Sequence, residues 1–195
     1  MTKSRKLAVI GTAGRDASKP LNLDLWTAMV DDLQVRILPT DTLVSGGAAW
    51  ADHLAVHAYL QGWCAGLALY FPAPFSFRMG RFIGPVRSSA DVANHYHHLF
   101  DKSTGIDSRG QICKAIQMGA SVSAEPPSPG IGGMFARNSK IAANATSVLA
   151  YTFSTGHEPL KGGTLDTWRK FASTNRVHVR LDDLLGRPAS FNTVG

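Results

Sequence analysis

Apolar and polar positions along this 195-residue chain follow two alternating periodicities. Short runs of consecutive apolar residues, the first from Lys6 to Thr12, predict buried strands of a parallel sheet. Between these runs lie segments with apolar residues at helical spacing, the first from Leu23 to Leu33, which predict amphipathic helices. Strands that alternate with helices favour right-handed crossovers. The pattern therefore predicts an α/β fold with a mainly parallel sheet and helices on both faces.

The same reasoning assigns most of the chain. The predicted strands are 6–12, 42–45, 67–71, 147–153 and 177–181, and the predicted helices are 23–33, 50–61, 89–99, 112–118, 135–145 and 164–173. Residues 72–88, rich in proline and phenylalanine, predict an irregular segment that covers a ligand or contacts another subunit. Residues 125–133, rich in proline and glycine, predict a loop. Since no repeat or linker divides the chain, we expect one domain over residues 1–185 and a tail over 186–195.

Composition narrows the class of partner. The formal net charge is +6, which suits an anionic ligand, but the basic residues are scattered, which argues against nucleic acid as a partner. Only Cys64 and Cys113 occur, so free thiols are expected. No apolar run reaches the roughly 18 residues of a membrane span, and the first residues lack the apolar core of a signal peptide. These features predict a cytoplasmic protein without a membrane partner.

Glycine-rich turns between a strand and a helix carry the candidate chemistry. One turn is Ser45-Gly46-Gly47-Ala48, a second is Lys161-Gly162-Gly163-Thr164, and a third loop is Gly11-Thr12-Ala13-Gly14-Arg15. Backbone amides at a helix start are unpaired, and the helix dipole favours an anion there. The turns therefore predict phosphate cradles, and together they predict a nucleotide-like ligand. Alternatively, the glycines only make tight turns, with Thr164 as a helix N-cap.

Several side chains near these turns suit the same ligand. The guanidinium groups of Arg15 and Arg137 suit a phosphate, although Arg137 could be an ordinary surface cation. Asp52 could bind ribose hydroxyls, act as a general base or interact only with the helix dipole. Trp50 follows the first turn directly and is the best candidate to stack on a base.

Histidine pairs on two predicted helices could suggest a metal site. His53 and His57, and likewise His95 and His98, share a helix face, but no acidic or thiol ligand accompanies them in a convincing pattern. His95, His97 and His98 are interpreted as a solvated helix end. No metal ligand is predicted.

The quoted motifs, taken in order, resemble the SLOG superfamily of Rossmann-like domains. That superfamily includes LOG phosphoribohydrolases, DNA-processing proteins and molybdenum-cofactor carriers. The matching segments are Ile10–Arg15, Ser45–Asp52, Phe135–Asn138 with Ile141-Ala142, and Lys161–Thr164. The resemblance implies one Rossmann-like domain whose glycine loops hold a nucleotide at the carboxyl ends of the strands, as open parallel sheets do at a switch point. It also implies a homo-oligomer.

One departure from the superfamily bears on catalysis. LOG enzymes carry Pro-Gly-Gly-x-Gly-Thr-x-x-Glu, whose Glu acts with the family Arg, which Arg137 matches here. The position of that Glu falls on Arg169 or on Thr167, neither of which supplies a carboxylate. Binding without turnover is therefore favoured, and no catalytic residue is predicted. An enzyme would use Arg137 with Asp52 or Asp166.

Together these features predict a protein that binds a phosphorylated nucleoside of ADP-ribose or cyclic ADP-ribose type. The resemblance implies a sensor, a carrier or a sequestering sponge for this molecule, with phage–bacterium defence signalling as one setting for such a role. The alternatives are a nucleotide hydrolase or phosphoribohydrolase, a molybdenum-cofactor carrier, and a single-stranded DNA binder. The predicted ligand-binding residues are Gly11, Thr12, Ala13, Arg15, Ser45, Gly46, Gly47, Ala48, Trp50, Asp52, Arg137, Asn138, Lys161, Gly162, Gly163 and Thr164. No cofactor other than this ligand is expected.

Overall fold

The computed structural model describes residues 4–130 and 132–186. The strands are β1 (Lys6–Gly11), β2 (Thr42–Ser45), β3 (Gly66–Phe71), β4 (Phe75–Ser76), β5 (Arg81–Phe82), β6 (Ser121–Ala124), β7 (Ser147–Thr152) and β8 (Arg176–Arg180). The helices are α1 (Leu23–Gln34), α2 (His53–Leu60), α3 (Ser89–Thr104), α4 (Ser108–Gln117), α5 (Gly132–Ala143), α6 (Gly162–Lys170) and α7 (Leu181–Leu185). A single 3-10 turn, Trp50–Asp52, precedes α2.

Six strands form one parallel sheet in the order β6-β3-β2-β1-β7-β8. Alternate side chains of β1 enter two different cores, since successive residues of a strand point to opposite faces. Leu7 and Val9 pack with α1 and α2, whereas Ala8 and Ile10 pack with α5 and α6. The predicted Rossmann-like α/β domain, with helices on both faces of a parallel sheet, is thereby confirmed.

The strand order creates a switch point beside β1. The chain first builds outward through β2, β3 and β6, and then crosses back to place β7 on the other side of β1. The connections that leave β1 and β7 therefore diverge at the carboxyl edge of the sheet. Parallel sheets bind ligands at such a point, because the diverging loops leave a crevice between them.

Several elements differ from the sequence predictions. Strand β6 was not predicted, and it is an edge strand whose residues Ser121, Val122 and Ala124 are exposed. Helix α7 was also missed, and α5 begins at Gly132, inside the predicted loop. The irregular segment 72–88 contains the antiparallel hairpin β4–β5. Of the predicted tail, residues 187–195 lie outside the described residues. Within the described residues, no helix combines the length and apolarity needed to cross a membrane.

The close packing of β1 against β7 leads to a first prediction. A Cβ atom on Gly11 would collide with the carbonyl oxygen of Tyr151 and lie 2.7 Å from the Cβ of Ala51. We expect Gly11→Ala to lower the free energy of unfolding by about 1–3 kcal/mol, as overpacking does, measured by urea denaturation. Gly156→Ala is the matched control, since no atom lies within 4 Å of its added Cβ. Equal stability of the two variants would contradict this account.

Candidate functional site

A cleft of about 480 Å³ opens at the switch point. Its walls come from the loop after β1, the connection after β7, and residues of α3, α5 and α6. Most of the predicted ligand-binding residues line it: Gly11, Thr12, Ala13, Arg15, Ala48, Asp52, Arg137, Asn138, Lys161, Gly162, Gly163 and Thr164. The other four, Ser45, Gly46, Gly47 and Trp50, lie outside its lining.

Neighbouring groups of the protein fill the first glycine turn. The amide of Gly47 donates to the hydroxyl of Ser45 at 3.1 Å, and the carbonyl of Gly47 accepts a hydrogen bond from Nε2 of His97 at 3.0 Å. A Cβ on Gly47 would lie 2.5 Å from the ring of Phe71. The glycine therefore serves close packing at positive φ, and its amide is unavailable to a phosphate.

His97 was interpreted as part of a solvated helix end, which is wrong. It is fully buried, and burial lowers the pKa of its imidazole to about 4. Because a carbonyl only accepts, Nε2 of the neutral ring carries the proton that bonds to Gly47. His97 thus holds the first turn in place.

Trp50 does not provide a stacking surface. Only 2% of this residue is exposed, and its ring packs edge-on against Phe100 with centroids 5.0 Å apart. A Cβ on Gly14 would lie 2.5 Å from Nε1 of Trp50, so the loop after β1 covers the indole closely. Trp50 is a core residue, which corrects its predicted role.

A buried ion pair forms part of the cleft wall. The guanidinium of Arg137 on α5 donates to the carbonyl of Gly46 and contacts a carboxylate oxygen of Asp52 at 3.3 Å. The two side chains are 9% and 8% exposed. Burial raises the pKa of the Asp52 carboxyl and lowers the pKa of Arg137, while each charge opposes the shift of the other. Two N–H groups of Arg137 are therefore engaged by the protein, whereas its buried Nε has no hydrogen-bond partner among the described residues. Its role as a phosphate ligand stays a prediction.

The second glycine turn faces the cleft. Lys161, the N-cap residue of α6, makes no capping hydrogen bond with its side chain, and no atom lies within 4 Å of a Cβ added to Gly162, which has φ +74°. The hydroxyl of Thr164 donates to the carbonyl of Gly11 at 2.8 Å, so it fastens the helix start to the loop after β1. This helix start offers the dipole and amide geometry that suit an anion.

Cations and aromatic rings meet at the rim of the cleft. The guanidinium of Arg15 lies 5.6 Å from the ring centroid of Tyr96, and the ammonium of Lys19 lies 5.0 Å from that of Phe153. Sequence reasoning missed Lys19, Tyr96 and Phe153. Phe153 was detectable in principle, because it ends the predicted strand whose carboxyl end meets the second turn.

The carboxylates near the cleft differ in their surroundings. Asp16 has a lowered pKa, because Ser18 bonds to it and the nearby Lys19 and Lys161 add positive potential. Asp166 contacts Lys170 at 2.8 Å and Asn138 at 2.9 Å. Asp166 is therefore neutralised on α6 rather than presented to the cleft.

Comparisons with known proteins place the chain among relatives. No family model matches it. The uncharacterized protein R261 of Acanthamoeba polyphaga mimivirus is 36% identical over 186 residues, which cover 90% of this chain and 96% of that protein.

Two similar solved structures are of DNA processing protein A. The Helicobacter pylori structure, which concerns a single-stranded DNA binding mode, has a TM-score of 0.47 and 17% identity, and covers 85% of this chain and 60% of that one. The Streptococcus pneumoniae structure has a TM-score of 0.43 and 17% identity, with 86% and 46% covered.

The solved neighbours agree with the Rossmann-like fold of this chain, and two predictions are corrected. The solved neighbours are DNA processing proteins, one of them described by its binding of single-stranded DNA. The prediction of an ADP-ribose-type ligand and the prediction against nucleic acid as a partner are therefore wrong. The first turn, filled by contacts with Ser45, His97 and Phe71, also removes one of the phosphate cradles on which the nucleotide prediction was based. The hydrolase and cofactor-carrier alternatives gain no support either.

The buried ion pair leads to a second prediction. Arg137→Met leaves the Asp52 carboxylate buried without its cation, which costs about 3–5 kcal/mol of unfolding free energy at neutral pH. Urea denaturation measures the loss. Arg169→Met, at an exposed position of α6, is the control and leaves stability nearly unchanged. The double variant Arg137→Met, Asp52→Leu should recover much of the loss, and a further loss would contradict the account.

The same variant also predicts a pH dependence. Without Arg137, burial raises the pKa of Asp52 further above its unfolded value, because the attraction that opposes this shift is gone. A carboxyl with a raised pKa favours the folded state at low pH and loses that contribution as pH rises through its folded pKa. The stability deficit of Arg137→Met against the unaltered protein should therefore grow with rising pH. A deficit that is constant between acid and neutral pH would contradict this.

Proposed function

We propose that this chain, which belongs to the family of the uncharacterized protein R261 of Acanthamoeba polyphaga mimivirus, binds single-stranded nucleic acid in the cleft at the carboxyl edge of its sheet. The observation that carries the proposal is the pairing of a cation with an aromatic ring at two places on the rim. Proteins that hold a single strand combine a basic groove for the backbone with aromatic faces for the bases.

Both aromatic rings are partly buried, and a cation lies over each of them. Tyr96 lies on α3 and Phe153 follows β7, and both side chains also pack against the main hydrophobic core, which holds the rings in place. A base can replace the cation on either ring, since both interactions use the same π-face. The displaced Arg15 or Lys19 can then pair with the phosphate that accompanies the base. Each exchange keeps the ring covered and neutralises one backbone charge.

The open start of α6 supports the same strand. Lys161 adds a third cation beside the uncapped helix start, where amides suit a phosphate oxygen. Arg15, Lys19 and Lys161 thus surround one cleft, and the overall charge of +6 favours a polyanion. The cleft volume of about 480 Å³ lies within the range of pockets that hold a small ligand, so it accommodates individual nucleotides of a longer strand.

Binding of a fluorescein-labelled eight-residue oligothymidylate, followed by anisotropy, tests this proposal. We expect log K to fall with log salt with a slope of about −2, since three phosphate contacts contribute roughly −0.7 each. Lys19→Ala should make the slope shallower by about 0.7, and Tyr96→Ala should lose about 1–3 kcal/mol of binding free energy. Lys6→Ala, an exposed cation at the start of β1, is the control and should retain the affinity.

Two outcomes would overturn the proposal. One is the absence of oligonucleotide binding at low salt. The other is binding that Lys19→Ala and Tyr96→Ala weaken no more than Lys6→Ala does, because the strand would then lie elsewhere on the protein.

A further inference from the structure

We infer that the β4–β5 hairpin and the residues that follow it form a second contact surface for the same nucleic-acid strand, beyond the cleft. This inference rests on the proposed function. The surface, here called the hairpin platform, consists of the tip residue Phe77 and the guanidinium groups of Arg78, Arg81 and Arg87. Its ligand is the sugar-phosphate backbone of a single strand, with a base on the exposed phenyl ring.

The charge of the hairpin platform favours a polyanion. The sequence from His53 to Ala90 contains no Asp or Glu, so Arg78 and Arg81 have no acidic residue near them in the chain, whereas Arg87 lies four residues before Asp91. All three are exposed, and among the described residues none of them is in an ion pair. Phe77, which directly precedes Arg78 in the chain, is 49% exposed. Alternating arginine and aromatic contacts are typical of surfaces that bind single strands.

The base of the hairpin is rigid, so the platform is held in place. Phe82 of β5 is 1% exposed and packs on Phe71 and Phe75 with ring centroids 5.2 and 5.1 Å away. The side chain of Asn94 on α3 bonds to both the amide and the carbonyl of Phe82, at 3.0 and 2.8 Å. Only the tip, from Phe77 to Gly80, projects beyond these anchors.

Two structural links join the platform to the cleft. Helix α3 carries Asn94, which holds the hairpin, two residues before Tyr96, which lines the cleft. At the start of α5, Gly133 packs so closely on the carbonyl of Pro72 that a Cβ would collide with it, and the next residue, Met134, lines the cleft. The base of the hairpin and the cleft are therefore joined at the same edge of the sheet, while the tip carbonyl of Phe77 lies beside Sγ of Cys113 on α4.

Arg87 shows backbone strain that the fold does not require of an arginine. Its φ is +63°, a conformation that glycine adopts freely and that side chains rarely adopt. Its carbonyl accepts from the amide of Gly130 at 2.9 Å, and its amide donates to a carboxylate oxygen of Asp91 at 3.3 Å, so both bonds use the main chain of Arg87 and neither uses its guanidinium. A glycine would make the same bonds. The exposed guanidinium is what a glycine would lack, which points to a binding role for it.

Oligonucleotides of two lengths test the platform separately from the cleft. The variant Arg78→Ala, Arg81→Ala, Arg87→Gly should weaken the binding of a 20-residue oligothymidylate roughly tenfold and make its salt slope shallower by about 2, at roughly 0.7 per contact. A four-residue oligothymidylate, which the cleft alone can hold, should bind the variant and the unaltered protein equally. The charge-matched control Lys6→Ala, Lys102→Ala, Lys114→Ala removes three exposed lysines and should leave both affinities within about twofold.

The stability of single variants completes the test. Arg87→Gly should retain the melting temperature while it weakens the binding of the long strand. A lower melting temperature would assign Arg87 to the fold and overturn its binding role. Equal weakening of both strand lengths, or of neither, would overturn the platform while the proposed function stands. The absence of binding by either strand to the unaltered protein would overturn both.

Discussion

The site depends on the buried contact of Arg137 with Asp52 and the carbonyl of Gly46. It fastens α5, the 3-10 turn before α2 and the loop after β2 to one another beneath the cleft. Removal of either charge would leave the other in a medium that solvates it poorly, so the pair makes the position of all three elements interdependent. The pair occupies two N–H groups of the guanidinium, whereas the buried Nε of Arg137 has no hydrogen-bond partner among the described residues. The exposed Arg15 and Lys161 and the start of α6 add further donors at the rim of the same cleft.

The two glycine turns show how one sequence pattern serves two purposes. Both contain a Gly-Gly pair with one glycine at positive φ, at Gly47 and Gly162. Around Gly47 the space is filled by Phe71, and the main-chain groups bond to Ser45 and His97. Around Gly162 a Cβ would meet no atom within 4 Å. Glycine permits a close approach in each case, but the approaching group is a protein side chain in the first turn and solvent in the second.

The sequence pattern predicted an element correctly wherever the spacing of its apolar residues matches the face that the structure buries. Strand β2 and the start of α1 have the predicted bounds, because their apolar spacing reports directly on which face is buried. Strand β6 was not predictable, because an edge strand with two serines and exposed side chains carries no apolar run. Trp50 and His97 were misassigned for a related reason. Their burial is decided by Phe100 and the glycine turn, contacts between segments about fifty residues apart in the chain that no local pattern records.

The charges of the molecule divide into two groups by burial. Arg137 and Asp52 are buried, and their attraction is strong there because the surroundings screen it less than water does, so the pair fixes geometry. Arg15, Lys19 and Lys161 remain at the cleft rim, where screening by salt limits each interaction and several must act together. A ligand with a single phosphate gains little from such a dispersed set, whereas a chain of phosphates can contact its members in turn. An extended polyanion therefore fits this surface better than a compact one. It can contact the dispersed cations, their aromatic partners at the rim and the exposed arginines of the hairpin platform.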